Sequence, residues 1–287
     1  MKFVRIIPRL DIKGPNLVKG IHLEGLRVLG KPQDFARYYY ENGADELLYM
    51  DVVASLYGRN NLLEMIEKTS KEIFIPLAVG GGIRSIDDIR IILRAGADKV
   101  SLNTAAIRNP DLIKEAATRF GSSTIVISIE AIKKRDSYEA YIANGREETG
   151  VDVFSWARRA QDLGAGEILL TSIDKEGTGQ GFDIELINKM ARSVSIPVIA
   201  CGGAGKIEHV KEVIQRGMAD AVSVGSILHY RFIKNHFHDI NDFIQEGNTE
   251  FIKKGANFSR IQDDTIENIK YDLMNAGIQT RVQKYER

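Results

Sequence analysis

The stretch Val79-Gly-Gly-Gly-Ile-Arg-Ser85 decides the fold, because a similar stretch stands about 120 residues later in the chain. That second stretch is Val198-Ile-Ala-Cys-Gly-Gly-Ala-Gly205, and an Ile-Pro pair shortly precedes each of the two. Glycines at a strand end let the backbone approach a ligand closely, and the start of the next helix favours an anion. A single glycine cluster is an ordinary turn signal, whereas two equivalent clusters predict paired anion sites.

Short apolar runs alternate with longer amphipathic runs along the whole chain, which predicts βα units and a parallel sheet. The predicted strands are residues 4–11, 46–51, 75–79, 99–102, 124–130, 167–171, 197–200 and 221–224. Helices are predicted to begin near Pro32, Asn60, Ser85, Asn109, Asp152, Asp183 and Ile207, with a final helix at about 265–276. Eight strands alternating with helices predict an α/β fold, the (β/α)8 or TIM barrel.

An internal repeat supports a barrel made of two similar halves. Asn42-Gly-Ala-Asp-Glu-Leu-Leu48 aligns with Leu163-Gly-Ala-Gly-Glu-Ile-Leu169, again about 120 residues apart. That spacing equals four βα units of about 30 residues each. We therefore expect one barrel domain over residues 1–287, with half-barrel repeats at about 1–121 and 122–229.

Three segments fall outside this regular pattern. The loop at 12–31 is long for a connection between a strand and a helix, which favours a mobile lid. Residues 137–149 contain Asn144-Gly145 and predict a small hairpin. Residues 230–263, after the eighth strand, are expected to form a partly helical insertion.

Composition limits the classes of function. The 287 residues carry a net charge of +0, so neither nucleic acid nor a membrane surface is an expected partner. The single cysteine, Cys201, excludes an internal disulfide framework, and only His236 and His238 form a close histidine pair, so we expect no metal and no cofactor. Without a signal-peptide pattern or a run of about 20 apolar residues, a cytoplasmic protein is the default expectation.

Two carboxylates are the candidate catalytic groups. Asp11 ends the first predicted strand and Glu130 ends the fifth, so both are expected at the barrel mouth, where barrel enzymes carry their sites. Two carboxylates in different environments can divide the work of general base and general acid. The alternative is that each caps a helix or pairs with a nearby lysine.

The two glycine stretches predict two phosphate sites on opposite sides of the mouth. Backbone N–H groups with one hydroxyl suit a phosphate dianion, so a substrate with a phosphate at each end is expected. The alternative is that the glycines only permit close packing. The residues of the first site are Gly82, Asn103 and Thr104, and those of the second are Gly203, Gly225 and Ser226.

Charged residues of alternating sign begin four of the strands. These are Arg5, Glu46, Lys99 and Glu167. A ring of this kind at the barrel floor is either a structural salt-bridge plug or the gate of a passage along the barrel axis.

Taken together, these residues resemble the cyclase subunit of imidazole glycerol phosphate synthase, the HisF family. The resemblance covers the chain from about Lys2 to Ser226 and resumes near Thr265. The motifs that carry it are Arg5-Ile-Ile-Pro8, Leu10-Asp11, Val18-Lys19-Gly20, Gly43-Ala-Asp-Glu46, Val79-Gly-Gly-Gly-Ile-Arg84, Gly96-Ala-Asp-Lys99 and Gly164-Ala-Gly-Glu-Ile-Leu-Leu-Thr-Ser172.

The resemblance implies a function and a partner. A glutaminase subunit would dock on the barrel floor as a heterodimer and release ammonia, which passes the charged gate to the mouth. There it would attack a bisphosphorylated ribulosyl-formimino aminoimidazole carboxamide ribotide, giving imidazole glycerol phosphate and aminoimidazole carboxamide ribotide. The matching positions are the four floor residues for the gate, Asp11 for catalysis, Lys19 for the loop lysine, and Gly82, Thr104, Gly203 and Ser226 for the phosphates.

The chain departs from the family pattern at the mouth. Glu130 stands where the family has an aspartate, and Arg9 stands where a small residue is usual. Asn144 and Glu176 also differ, and the insertion after the eighth strand is untypical. Three hypotheses follow: a working cyclase of histidine biosynthesis, a paralogue that passes ammonia to a sugar amidotransferase for acetamidino sugars of surface polysaccharides, or a docking scaffold without activity.

Overall fold

A computed structural model describes residues 3–53, 62–236 and 260–281 of the chain. The strands are β1 Arg5–Lys13, β2 Asn16–Ile21, β3 Glu24–Gly30, β4 Leu47–Asp51, β5 Leu77–Gly80, β6 Lys99–Leu102, β7 Ile125–Lys134, β8 Ser137–Ile142, β9 Glu147–Asp152, β10 Glu167–Ser172, β11 Val198–Cys201 and β12 Ala221–Val224. Eight of them are parallel and close into a barrel in the order β1-β4-β5-β6-β7-β10-β11-β12, and β12 pairs back onto β1.

Helices alternate with the barrel strands, which confirms the predicted (β/α)8 fold. Those in the described residues are α1 Pro32–Glu41, α2 Leu63–Ser70, α3 Ile86–Arg94, α4 Thr104–Arg108, α5 Asp111–Phe120, α6 Val153–Asp162, α7 Ile184–Ser193, α8 Ile207–Gln215, α9 Ser226–His236 and α10 Ile266–Asn275. The helix start expected near Asn60 lies outside the described residues. None of the described helices is long and apolar enough to cross a membrane.

Side-chain caps fix where several of these helices begin. Ser85 accepts a hydrogen bond from the Asp88 N–H, and Asp88 accepts one from the Ser85 N–H, which is a reciprocal capping box at the start of α3. The side chains of Asp152, Asp183 and Thr265 cap α6, α7 and α10, each by accepting one hydrogen bond from a backbone N–H of the first turn. Such caps stabilise a helix by about 1 kcal/mol each, and their residue types made these starts predictable.

Strand alternation divides the core into an outer and an inner part. On β1, Ile6 and Leu10 pack outward against the helices, while Ile7 belongs to a second apolar cluster inside the barrel. Because side chains alternate along a strand, Arg5, Arg9 and Asp11 share the inward face with Ile7. One strand therefore reaches the floor, the apolar interior and the mouth in succession.

Two hairpins extend the barrel at its mouth. The loop expected at 12–31 is instead the antiparallel hairpin β2–β3, which continues β1. The hairpin predicted at 137–149 is formed by β8 and β9, which continue β7. The β2–β3 turn places His22 and Leu23 at positive φ, without the Asn-Gly signal that marks such turns in sequence. Asp11 and Glu130 consequently lie within long strands and not at strand ends, which corrects the prediction.

The segment after the eighth barrel strand begins with a helix. This helix, α9, runs without a break from Ser226 to His236 and so spans the predicted boundary at about residue 230. The rest of the predicted insertion lies largely outside the described residues. The final helix is confirmed as α10, and its Lys270 ammonium donates to the Asp45 carboxylate and to the Gly43 carbonyl beneath the barrel.

Candidate functional site

The four charged residues predicted for the floor form a closed ring of ion pairs. Arg5 donates to Glu46 at 2.8 Å and to Glu167 at 2.6 Å. On the other side, Lys99 lies 2.9 Å from each of the same two carboxylates. Burial by itself lowers the pKa of the Arg5 guanidinium, but Glu167 and Glu46 outweigh it and raise that pKa above its ordinary value. In this ring each cation contacts both carboxylates, and the ring spans the lower end of the barrel.

Above the ring, the barrel interior is apolar. The side chains that fill it come from several of the barrel strands and are Ile7, Leu48, Ala78, Val126, Leu169, Ile199 and Ala221. Moving a neutral molecule such as ammonia from water into this layer costs less free energy than moving an ammonium ion, because burying an unpaired charge is costly. The interior thus separates two charged regions of the same barrel.

At the mouth, Arg9 and Asp11 form a buried ion pair on neighbouring inward positions of β1. Arg9 Nε donates to Asp11 Oδ1 at 2.7 Å, and both side chains are almost fully buried. The guanidinium also reaches across the barrel, where Nη1 lies 3.2 Å from Thr171 Oγ1 and 3.5 Å from Cys201 Sγ. The inward direction inferred for Arg9 from strand alternation is confirmed.

A second ion pair holds the β2–β3 hairpin over the mouth. Lys19 donates to Glu176 Oε1, and both side chains are buried. Burial alone would raise the pKa of Glu176, but Lys19 and Arg9 lower it below its ordinary value. Three further hydrogen bonds hold the hairpin. The His22 N–H donates to the Glu176 carbonyl, His22 Nδ1 lies 2.8 Å from the Ile173 carbonyl oxygen, and Asn144 Nδ2 donates to the Leu23 carbonyl. The hairpin is thus docked on the opposite side of the mouth.

His229 supports the backbone of β1 from behind. Burial and the nearby Lys19 lower the pKa of His229 to about 3, so the ring is neutral. Its Nε2 lies 3.0 Å from the Arg9 carbonyl oxygen, which can only accept, so Nε2 carries the proton. Its Nδ1 then accepts from the Tyr39 hydroxyl at 2.6 Å. No local sequence signal identified His229, because its role depends on α9 packing against β1.

Glu130 faces the mouth from β7, four strands around the barrel from β1. Burial raises its pKa to about 7, and Arg9 and the Gly145 N–H oppose this rise only in part. That N–H donates to Glu130 Oε2 at 2.8 Å from the turn of the β8–β9 hairpin. Near neutral pH, Glu130 therefore exists in both protonation states, as a general acid requires.

Changing Glu130 to Gln is expected to stabilise the fold at pH 8 but not at pH 5. Because the pKa of Glu130 is higher in the folded than in the unfolded chain, stability falls as the pH rises from about 4.5 to about 7. Gln avoids this loss, which is on the order of 2–3 kcal/mol, and keeps an oxygen for the Gly145 N–H. Urea unfolding of both proteins at the two pH values measures the difference. An equal effect at both would contradict the raised pKa.

The first predicted anion site borders an open cavity of about 450 Å³. Its lining includes Gly82, Asn103, Thr104 and Glu130. In the described part of the chain, Ser101 Oγ and Asn103 Oδ1 are buried without a hydrogen-bond partner. Buried polar atoms are nearly always paired, so these two atoms at the cavity suit a polar ligand.

The second predicted anion site is almost filled by side chains. The space among Gly203, Gly225, Ser226, Lys19 and Asp11 is only about 20 Å³, which is enough for about one water molecule. The Lys19–Glu176 pair and Arg9 also line it. The sequence predicted two similar sites, but the side chains of Arg9, Lys19 and Glu176 fill the second one.

Packing explains part of both glycine stretches. A Cβ on Gly81 would lie 2.2 Å from the Asp51 carbonyl oxygen, and one on Gly203 would lie 2.1 Å from the Gly181 carbonyl oxygen. Both glycines have positive φ, at 97° and 104°. Close packing therefore requires glycine at these two positions whether or not an anion binds nearby.

Comparison with known proteins identifies the family. The sequence profile described as histidine biosynthesis protein matches residues 5–234. A protein of Legionella pneumophila named imidazole glycerol phosphate synthase subunit HisF is 61% identical over 209 residues, which is 72% of this chain and 99% of the relative. Proteins of the same name from Methanocaldococcus jannaschii and Bacillus cereus are 50% and 49% identical, each over 79% of this chain and over 91% and 90% of the relatives. This chain therefore belongs to the histidine biosynthesis protein family, among the HisF subunits of imidazole glycerol phosphate synthase.

Proposed function

We propose that this chain is a cyclase that uses ammonia to convert a bisphosphorylated ribulosyl-formimino aminoimidazole carboxamide ribotide. The products are imidazole glycerol phosphate and aminoimidazole carboxamide ribotide, with one water released as the ammonia nitrogen replaces the ketone oxygen of the ribulosyl group. The reaction is of the lyase type. The observation that carries the proposal is the pair of inward carboxylates, Asp11 and Glu130, in different environments on opposite sides of one mouth.

The two carboxylates have separate tasks in this proposal. Asp11, held by Arg9 through Oδ1, accepts a proton from the attacking ammonia through its other oxygen. Glu130, which is partly protonated near neutral pH, donates a proton to the nitrogen that leaves as the imidazole ring closes. Glutamate serves here in place of aspartate because the β8–β9 turn fixes its longer side chain through the Gly145 N–H.

Ammonia would reach the mouth through the barrel. The ring of Arg5, Glu46, Lys99 and Glu167 is the proposed gate, and the apolar interior above it favours neutral ammonia. A glutaminase subunit is the proposed partner at the floor. The aromatic side chain of Phe3 supports this, because it is 59% exposed and lines a cavity at the floor together with Arg5 and Lys99.

The substrate would place one phosphate at each glycine stretch. The first site, at Gly82 and Thr104, has room for a phosphate without rearrangement. At the second site, near Gly203 and Ser226, a phosphate must displace the Lys19–Glu176 contact and move the β2–β3 hairpin. Lys19 is then released from Glu176 and is available to bind the incoming anion.

Complementation of a histidine auxotroph that lacks its cyclase tests the proposal. The chain, expressed with its glutaminase, should restore growth without histidine, and the purified chain should turn over the substrate with ammonium alone. Soluble protein that binds the glutaminase but neither complements nor reacts would reject the cyclase. The relatives described above carry the name of the histidine enzyme, and none of them is named for sugar amidation.

A further inference from the structure

We propose that Arg9 is a positioning residue for the chemistry at the mouth, holding one oxygen of Asp11 and providing the fixed positive charge that balances Glu130. The kinetic part of the proposal rests on the proposed function. The electrostatic part rests on the position of Arg9, whose Nη1 contacts Thr171, the residue in register with Glu130 on the neighbouring strand. Arg9 is only 4% exposed, so its charge is not screened by bulk water.

The guanidinium of Arg9 is fixed at three points. It donates to Asp11 Oδ1 at 2.7 Å, while its Nη1 contacts Thr171 on β10 and Cys201 on β11. These contacts tie β1 to β10 and β11, three and two strands away around the barrel, while the bond to Asp11 uses only its Oδ1. A planar group with several fixed donors orients a carboxylate better than a flexible ammonium does.

The backbone of Arg9 is fixed as well. Its carbonyl accepts from His229 Nε2, and His229 in turn accepts from Tyr39. This chain of bonds runs from α1 through α9 to β1, two residues before Asp11. Because both the guanidinium and the backbone carbonyl of Arg9 are held, the position of Asp11 also depends on His229 and Tyr39, which do not themselves reach the mouth.

The charges around Glu130 explain the electrostatic role. Arg9 and Asp11 from β1 act on Glu130, and the Lys19–Glu176 pair adjoins them. From its neighbouring strands, Tyr141 and Thr171 stand opposite Glu130 in register, and the Tyr141 hydroxyl is bonded to Glu148. The cavity beside Glu130 is also lined by the buried Asp51 and by the exposed Arg84 and Arg108. Without Arg9, the buried carboxylates Asp11, Glu130 and Glu176 would keep Lys19 as their buried cation, and ionisation of Glu130 would become harder.

A carboxyl-carbon NMR titration tests the electrostatic role without any turnover. Protein labelled with ¹³C at the glutamate carboxyls is titrated as wild type, Arg9→Met and Arg9→Lys, and Glu130→Gln assigns the signal. We expect Glu130 to titrate at a higher pH in Arg9→Met and near the wild-type pH in Arg9→Lys. An unchanged Glu130 titration in Arg9→Met would overturn the electrostatic role.

A second pair of variants guards against misfolding. If Arg9→Met fails to fold because it leaves Asp11 unpaired, the double variant Arg9→Met/Asp11→Asn removes that charge too. Its Glu130 titration is compared with that of Asp11→Asn alone, so the effect of Arg9 is still measured. The exposed Arg37, paired with Glu72 on the outer surface, provides the matched control Arg37→Met.

Kinetics with ammonium test the positioning role. Arg9→Lys keeps the charge but not the fork of donors, so kcat should fall about 10- to 100-fold with little change in KM. Arg9→Ala should lose more, and added guanidinium should restore part of its kcat. Wild-type kcat and pH profile in Arg9→Ala would overturn positioning. If the wild type itself shows no turnover, the proposed function fails, and the NMR titration still decides the electrostatic role.

Discussion

Replacing Asp11 by Asn is expected to lower turnover with ammonium by about 100- to 10,000-fold, the range typical of a lost general base. Asn keeps the size of the side chain, but its amide cannot accept a proton at neutral pH. Steady-state kinetics with substrate and ammonium, without a glutaminase, measure this loss directly. The partner and the gate play no part in that assay, so the effect belongs to the mouth alone.

The control for this variant must separate chemistry from the loss of an ion pair. Asp11→Asn leaves the Arg9 guanidinium without its carboxylate, and a buried unpaired charge by itself lowers stability. Circular dichroism and urea unfolding show whether the variant remains folded at the assay temperature. Substrate binding, measured by calorimetry, should change far less than kcat. A folded Asp11→Asn protein with normal kcat would remove Asp11 from the mechanism.

Replacing Lys99 by Met is expected to uncouple glutamine consumption from product formation. Lys99 contacts both Glu46 and Glu167, so its loss breaks two of the four contacts in the floor ring. The two carboxylates would then share only Arg5, and the ring would no longer close. In the complex with glutaminase, product formed per glutamine consumed should fall on the order of tenfold. Turnover with added ammonium should stay within about twofold, since ammonium in solution also reaches the mouth directly.

An exposed lysine supplies the matched control for the gate. Lys68 pairs with Glu64 on the surface of α2, and both side chains are more than half exposed. Lys68→Met should leave the ratio of product to glutamine unchanged, because surface ion pairs contribute little. If Lys99→Met also kept that ratio, the floor ring would be a structural plug and not a gate.

The two glycine stretches show that a sequence repeat predicts similar backbone geometry but not similar binding sites. Each stretch contains the end of a barrel strand, and each holds glycines at positive φ, as their similarity in sequence predicts. Their surroundings nevertheless differ, with an open cavity at one and a filled space at the other. The difference comes from Arg9, Lys19 and Glu176, none of which belongs to either stretch.

The sequence by itself determined the barrel, the order of its eight parallel strands and the four residues of the floor. These depend on local patterns: the alternation of apolar runs, helix-capping residues such as Ser85 and Asp152, and the position of Arg5, Lys99 and Glu167 at the first residues of strands. Such signals act within a few residues, so they can be interpreted without a tertiary structure.

Only the tertiary structure determined the contacts and the ionisation of the side chains at the mouth. The contacts of Arg9 with Thr171 and Cys201, and of Lys19 with Glu176, join residues more than 150 positions apart. The raised pKa of Glu130 follows from burial among these groups, which no local pattern specifies. Local periodicity places a carboxylate on a strand, whereas its ionisation and its partners depend on which distant side chains the closed barrel brings beside it.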